Sequence, residues 1–299
     1  MVSQTRIEEA KSLYELYGDQ RAAEKMGISM ESLYRYLHGR AEQKTMPRVL
    51  IYDIETAPAL AHTFEVWNVN VMPDNIVFPW FMLGWSSKWL FESAIESDIV
   101  TPEEALNRDD KRISLSLWEQ INAADIVIGH NIRHFDIKRM NTRFLAHRIP
   151  RPLPYRVVDT RDILRKNFAH EHNKLDYVNR VHGLARKLDT GGFMLWADCL
   201  KGDKLALAKM QKYNKHDVGC TEELYVLIRG WANSHPNMGL FVEGNGIVCP
   251  NCGGEDLGYG GTYSADVNRY RSFRCNTCGA IGRSPKPLAK KETLRSVAR

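Results

Sequence analysis

Two carboxylates stand two residues apart at the end of an apolar run, Asp53 and Glu55 in RVLIYDIET. In an extended strand, residues i and i+2 share a face, so both point the same way and repel each other. Asp136 follows a second apolar run, in DIVIGHNIRHFD, and opens a basic helical pattern. Tyr213 and Asp217, in YNKHD, are four residues apart, which places them on one face of a helix. Apart, these are ordinary solvated acids. Converging on one cleft, four carboxylates are unstable without cations, and paired divalent ions roughly 3.5–4 Å apart are the usual remedy where phosphoryl groups are cleaved. An all-oxygen donor set of this kind suits Mg²⁺ or Mn²⁺.

A second constellation has different chemistry. CPNCGG and RCNTCGA place Cys249, Cys252, Cys275 and Cys278 in two C-x-x-C pairs, each followed by Gly. Four thiolates suit a tetrahedral Zn²⁺ and leave no open position, so one structural zinc is expected. The pattern resembles a zinc ribbon. Between the pairs, Tyr259, Tyr263, Tyr270 and Phe273 alternate with Arg269, Arg271 and Arg274. They could stack bases and neutralise phosphates, with Arg271 as a candidate contact, or the aromatics could build the ribbon's small core. Cys199 and Cys220 are isolated and read as packed thiols.

The elements needed to position these residues are legible as three regions. Residues 1–42 read as three short helices, ending at Gly18, at Gly27 and near Arg40, with Asp19 and Ser29 as N-caps. Ala23, Gly27 and Leu33 have the spacing of a helix-turn-helix, in which Ala permits close crossing and Gly takes the turn. The third helix would then offer Ser32, Arg35, Tyr36 and Arg40 to a nucleic acid; a plain helical cap is the alternative. AEQKTMP reads as a linker. Residues 47–235 alternate strand and helix signals. RVLIYDI is a strand, WFMLGWSSKWLFES a hairpin broken at its polar SSK, and KRISLSLWEQINAA a helix. DIVIGHN and YRVVDT are strands, and FDIKRMNTRFLAHRI, NKLDYVNRVHG and the stretch from Asp203 to Trp231 are helices. This order predicts a mixed α/β sheet with helices on both faces. Residues 239–282 hold the cysteine pairs, and 283–299 read as a disordered basic tail.

The chain has 299 residues, 43% hydrophobic and 26% charged, a globular profile. No apolar run approaches the ~18 residues of a membrane helix, and the N-terminal stretch lacks a secretory layout. No membrane partner and a cytoplasmic location are expected. From Arg283 onward there are six basic residues and one acidic, which accounts for the whole net charge of +5. Such a tail is either drawn to polyanions or a solvated segment with no partner.

DIE at Asp53–Glu55, Asn131 with Phe135–Asp136, and Tyr213 with Asp217 resemble, in order, the three motifs of DEDD-type 3′–5′ exonucleases of the tyrosine subclass. The proofreading domains of family B DNA polymerases and their stand-alone relatives are the nearest likeness. The similarity extends to AADIVIGHNIRHFDIKRM and KLDYVNRVHGL and covers close to two-thirds of the chain, from Arg48 to Trp231. It implies an RNase H-like fold and hydrolysis with two Mg²⁺ (or Mn²⁺). Asp53, Glu55 and Asp217 would ligate one ion; Asp53 would bridge to the second, with Asp136 near it through water. Tyr213 would orient the attacking water. The histidine subclass has His five before the last Asp, where this chain has Lys212. His216 is then structural or a substrate contact. Asn131 and Phe135 would hold the terminal nucleotide, although Phe135 also suits a core position.

Other polar residues read as structural. Asp159 and Asp162 in DTRDIL are turn and cap residues. His130 and His134 lack a metal-binding pattern. Arg133, Lys138, Arg139 and Arg143 make one basic helix, either a nucleic-acid groove with Arg139 as a contact or a solvated face. The expected activity is metal-dependent 3′–5′ hydrolysis of DNA, favoured over RNA because of the helix-turn-helix. An endonuclease or ribonuclease on the same fold, or a DNA-binding regulator with a vestigial site, is the alternative. Replication or repair proteins are compatible partners.

Overall fold

The strand that carries the acidic pair, β1 (Val49–Thr56), is the middle of a five-stranded sheet. Its neighbours show why an apolar run ends in acids. β4 (Met82–Trp89) pairs with it antiparallel and β6 (Ile126–Gly129) pairs parallel. β5 (Glu96–Ile99) and β7 (Arg156–Asp159) form the edges, giving the order β5–β4–β1–β6–β7. A strand covered on both faces must be apolar on both. Leu50, Tyr52 and Ile54 are buried with α3 (Lys111–Asn122) and α4 (Asp136–Ala146). Val49 and Ile51 are buried with α5 (Thr160–Asn167), α6 (Leu175–Val181) and the later part of α8 (Lys204–Ile228). By alternation, Asp53 and Glu55 continue that second face as the strand leaves the core.

This is a computed structural model, describing residues 4–28, 33, 37, 46–242, 246–288 and 294. The sheet has helices on both faces, as the sequence predicts. β2 (Leu60–Ala61) and β3 (Ile76–Phe78) make a separate small hairpin, α2 (Pro102–Asn107) follows β5, and α7 (Met194–Leu200) precedes α8. Among the described residues, no helix is long and apolar enough to cross a membrane.

The structure departs from the sequence reading in two places. WFMLGWSSKWLFES does not turn at its serines: β4 runs straight through them, with Ser86 opposite Asp53 and Ser87 opposite Tyr52. Small serines pass through a two-sided strand, and the return to β5 comes after Trp89. The ribbon also extends beyond residue 282. β8 (Leu257–Ser264), β9 (Arg269–Cys275) and β10 (Ile281–Pro287) form an antiparallel sheet in the order β10–β9–β8. The first residues assigned by composition to the tail are therefore its third strand. An edge strand needs only one side's hydrogen bonds and so tolerates Pro285 and Pro287.

At the N-terminus, α1 (Gln4–Met26) breaks at Gly18, whose φ of 74° and ψ of 178° are not helical. Gly27 also has positive φ. Ala10, Ala22, Ala23 and Leu33 share one buried cluster with Leu13, Met26, Ile28 and Leu37 against it. Of the expected third helix only Leu33 and Leu37 are described. Ser32, Arg35, Tyr36 and Arg40 lie outside the described residues.

The ribbon sits on the end of α8. Asn251 Nδ2 donates to the carbonyls of Arg229 (2.9 Å) and Ala232 (3.2 Å). A Cβ at Gly230 would lie 2.2 Å from the Cys278 carbonyl oxygen, so only glycine permits this approach. Gly230→Ala should therefore cost about 1–3 kcal/mol, as overpacking does. Urea unfolding with zinc content measured in parallel checks this; unchanged stability would mean that the ribbon does not rest there.

Candidate active site

Three elements bring the acids together. Asp53 and Glu55 leave the sheet on β1, and Asp217 comes from the middle of α8 across that face. One carboxylate oxygen from each lies within 4.8 Å of the others. Asp136 arrives separately at the N-terminus of α4, where the helix dipole favours an anion. Its Oδ1 accepts from the Ile54 N–H at 3.2 Å, placing it against β1 between Asp53 and Glu55.

The cluster is held under electrostatic stress. Burial, then repulsion from Asp217, pushes Asp53 up to about 7. Burial, then Asp53, pushes Glu55 up to about 8. Asp136 is raised well above its ordinary value by burial and then by Asp53. Asp217 is raised by burial, against the pull of Lys187.

Two residues that the motifs do not include stabilise this arrangement. Lys187 Nζ forms an ion pair with Asp217 Oδ2 and donates to Tyr213 Oη at 3.0 Å. Burial lowers the Lys187 pKa, but Asp217 and Asp53 outweigh it and raise it above the usual lysine value. Asn214 Nδ2 donates to Asp53 Oδ2 at 2.7 Å. Asn214 precedes Asp217 by three on α8, a spacing that could have revealed it. Lys187 lies on an irregular segment anchored elsewhere: His216 Nε2 meets Arg186 O at 2.6 Å, Glu223 accepts from Ala185 N at 2.8 Å, and Asp176 accepts from Lys187 N. No local pattern announces it. His216 thus helps anchor the segment that carries Lys187.

The expected substrate contacts separate. Asn131 has φ 66°. Its N–H donates to Asp159 Oδ1, and its own Oδ1 accepts from Arg161 at 2.7 Å. Asp159 also accepts from Arg133 N and caps α5 through Arg161 N. It is the turn and cap residue the sequence suggests, and it also fixes the loop before Asp136. Phe135 is exposed at the start of α4 rather than in the core. Arg139 lies over the Trp80 ring at 4.2 Å and 5.4 Å from that of Phe135. A cavity of about 500 Å³ opens there, lined by Thr56, Trp80, Arg139, Phe193 and Trp196, beginning one residue after Glu55. Arg143 does not join a basic face: with His147 it is bound to buried Asp110, which also accepts from Met82 N. His130 is held between Thr160 and the Asn173 carbonyl, and burial lowers its pKa to about 4. Arg271 lies on β9 of the ribbon, over Tyr259 at 4.8 Å.

Both constellations fit metal ions. In the acidic cluster Asp217 Oδ1 is buried with no hydrogen-bond partner, and three oxygens converge. In the ribbon, Cys249, Cys252, Cys275 and Cys278 converge as well. Cys249 Sγ is 3.6 Å from Cys278 Sγ, and Cys252 Sγ is 3.6 Å from Cys275 Sγ. Gly253 and Gly279, both at positive φ, close the two knuckles back onto Cys249 O and Cys275 O.

Residues 92–229 match a family model described as RNase_H superfamily. The match takes in Asp136, Tyr213 and Asp217 and begins after Asp53 and Glu55. The fold is RNase H-like. A family B DNA polymerase from the hyperthermophilic archaeon Pyrobaculum calidifontis is similar at 19% identity and a TM-score of 0.43, over 62% of this chain and 25% of that one. This chain thus spans about a quarter of that polymerase. No curated protein matches it.

The raised carboxylates fix the sign of a pH effect. An acid whose pKa is higher folded than unfolded stabilises the fold fully below its unfolded pKa of ~4. That contribution is lost as pH rises through the folded values of about 7 and about 8. Metal-free protein should therefore lose thermal stability between about pH 5 and pH 8, and Mg²⁺ should restore more of it at the upper end. Scanning fluorimetry across that range checks this; a flat profile with no Mg²⁺ response would count against a stressed cluster.

Proposed function

We propose that the chain is a metal-dependent nuclease of the DEDD tyrosine type that removes nucleotides from 3′ ends, with DNA favoured over RNA. The observation that carries this reading is the convergence of Asp53, Glu55 and Asp217 in a half-buried cleft, with Asp136 and Tyr213 beside them. The domain division that goes with it is helix-turn-helix (1–42), nuclease (47–235) and zinc ribbon from 239 onward. The DNA preference rests on the first of these.

Asp53, Glu55 and Asp217 would hold one divalent ion, and Asp53 with Asp136 a second. When bound, such ions stabilise charge on the phosphate and lower the pKa of a water. The protein's own groups complete the site. Tyr213 Oη would orient a water within the cleft. Lys187, which pairs with Asp217, would meet the negative charge of a phosphodiester once metal ions take up the acids, and Asn214 donates to Asp53 and limits its swing. Arg139, over the Trp80 ring, would meet a phosphate and shares its cavity with aromatic walls suited to a base.

Mg²⁺-dependent shortening of 3′-labelled single-stranded DNA tests the reading. Asp53→Ala with Asp217→Ala should lower the rate by at least about 10²–10³-fold; retained degradation would remove the mechanism. A circular single strand has no 3′ end and should survive, so its cleavage would indicate an endonuclease. Faster loss of an RNA of the same sequence would overturn the DNA preference. Binding without any turnover would leave a nucleic-acid-binding regulator.

A further inference from the structure

By composition Arg283 opens a tail, but in the structure it lies on β10 opposite Ser272 of β9. Tyr263 of β8 and Tyr270 of β9 are directly paired. Directly opposed residues share a face, and Ser272 is two positions beyond Tyr270. Tyr263, Tyr270 and Arg283 therefore stand on one face of the ribbon sheet. The Arg283 guanidinium is 3.7 Å from the centroid of the Tyr270 ring and 5.8 Å from that of Tyr263. Tyr263 is 51% exposed. Exposed Arg274 follows on the same face, whereas Arg269 and Arg271 alternate to the other.

These tyrosines do not build the ribbon's core. That core is Cys249, Cys275 and Ala280, with Cys252, Leu257 and Cys278 against it. What remains is a pair of rings crossed by a flat guanidinium. Stacking of this kind leaves the N–H edge of Arg free for bidentate contact with a phosphate, and one N–H already reaches Ser284 O at 3.2 Å. The open Tyr263 ring can take a base, since every base has a π-face. An acidic peptide would use the charge but not two adjacent rings.

The ribbon that carries this face is joined to the cleft by one helix. The ribbon rests on the end of α8 at Gly230, while Asp217 lies eleven residues before Ile228 on that helix. That separation is roughly 16 Å along the axis, so a strand reaching from the cleft to the ribbon would span several nucleotides. We propose that the Tyr263–Tyr270–Arg283 face of the ribbon grips a single nucleic-acid strand several nucleotides from the end held in the acidic cleft. The grip itself requires only the ribbon; the placement of the end rests on the nuclease reading.

Fluorescence anisotropy on the full chain tests this, with Ca²⁺ replacing Mg²⁺ and 5′-fluorescein oligo(dT) of about 30 or about 4 nucleotides as probes. Tyr263→Ala with Arg283→Ala should weaken binding of the long strand about tenfold or more and reduce its salt slope by about one. Binding of the short strand should change by less than about twofold. Zinc content reports whether the ribbon is intact. If the alanine variant loses zinc, Tyr263→Phe (affinity kept) and Arg283→Lys (affinity reduced several-fold) decide the matter in its place. Unchanged long-strand binding, or equal weakening of both strands, overturns the proposal. So does a variant that keeps the strand but loses fluorescein-labelled poly-glutamate, which would make the face a site for acidic protein. Absent hydrolysis by wild-type protein that still grips the long strand would remove the nuclease reading and leave the grip standing.

Discussion

Like charges forced together in a poorly solvated cleft are the condition on which the rest of the site depends. Asp53, Glu55 and Asp217 have no reason to be neighbours in an isolated fold; water would solvate each better than the others do. The chain meets this cost with a lysine from outside the motifs, Lys187, which lies against Asp217 and Tyr213. One cation beside several acids relieves the repulsion only in part. The cluster therefore keeps an appetite for further positive charge, which is the property a divalent metal site needs.

The surrounding polar groups follow from the same condition. Asn214 donates to Asp53, the Ile54 N–H donates to Asp136, and Asp159 fixes the loop that delivers Asp136 by accepting three backbone N–H groups. None of these adds charge to the cleft. Each limits how far a repelling carboxylate can swing away, so the acids stay in position before any ion arrives. The buried Asp110–Arg143–His147 group fastens the far end of α4 to the start of β4, and so holds the helix whose first residue is Asp136.

How much of this could be read in the sequence varied with the physics. The shared face of Asp53 and Glu55 follows from strand periodicity, and that of Tyr213 and Asp217 from helix periodicity; both rules are local. Asn214 obeys the same helix rule and was legible in principle. Lys187 was not, because its place is fixed by contacts from His216, Glu223 and Asp176 rather than by its neighbours in sequence. Ser86 and Ser87 imitate a turn by composition, yet a central strand carries them because β1 supplies their hydrogen-bonded partner. Pro285 and Pro287 imitate a disordered tail, and only the pairing with β9 shows that they belong to a sheet edge.

One helix, α8, serves both as a wall of the acidic cleft and as the seat of the ribbon. Along it, number of residues is also angle, since each residue turns the chain by about 100°. A single insertion between Asp217 and Gly230 would lengthen the helix by only about 1.5 Å. It would also swing the ribbon around to a different side of the molecule, taking Arg283 and its two tyrosines with it. The spacing between the last acid and that glycine is thus a phase as much as a length, and the acidic cluster and the four-cysteine group keep their mutual placement only through changes that preserve it.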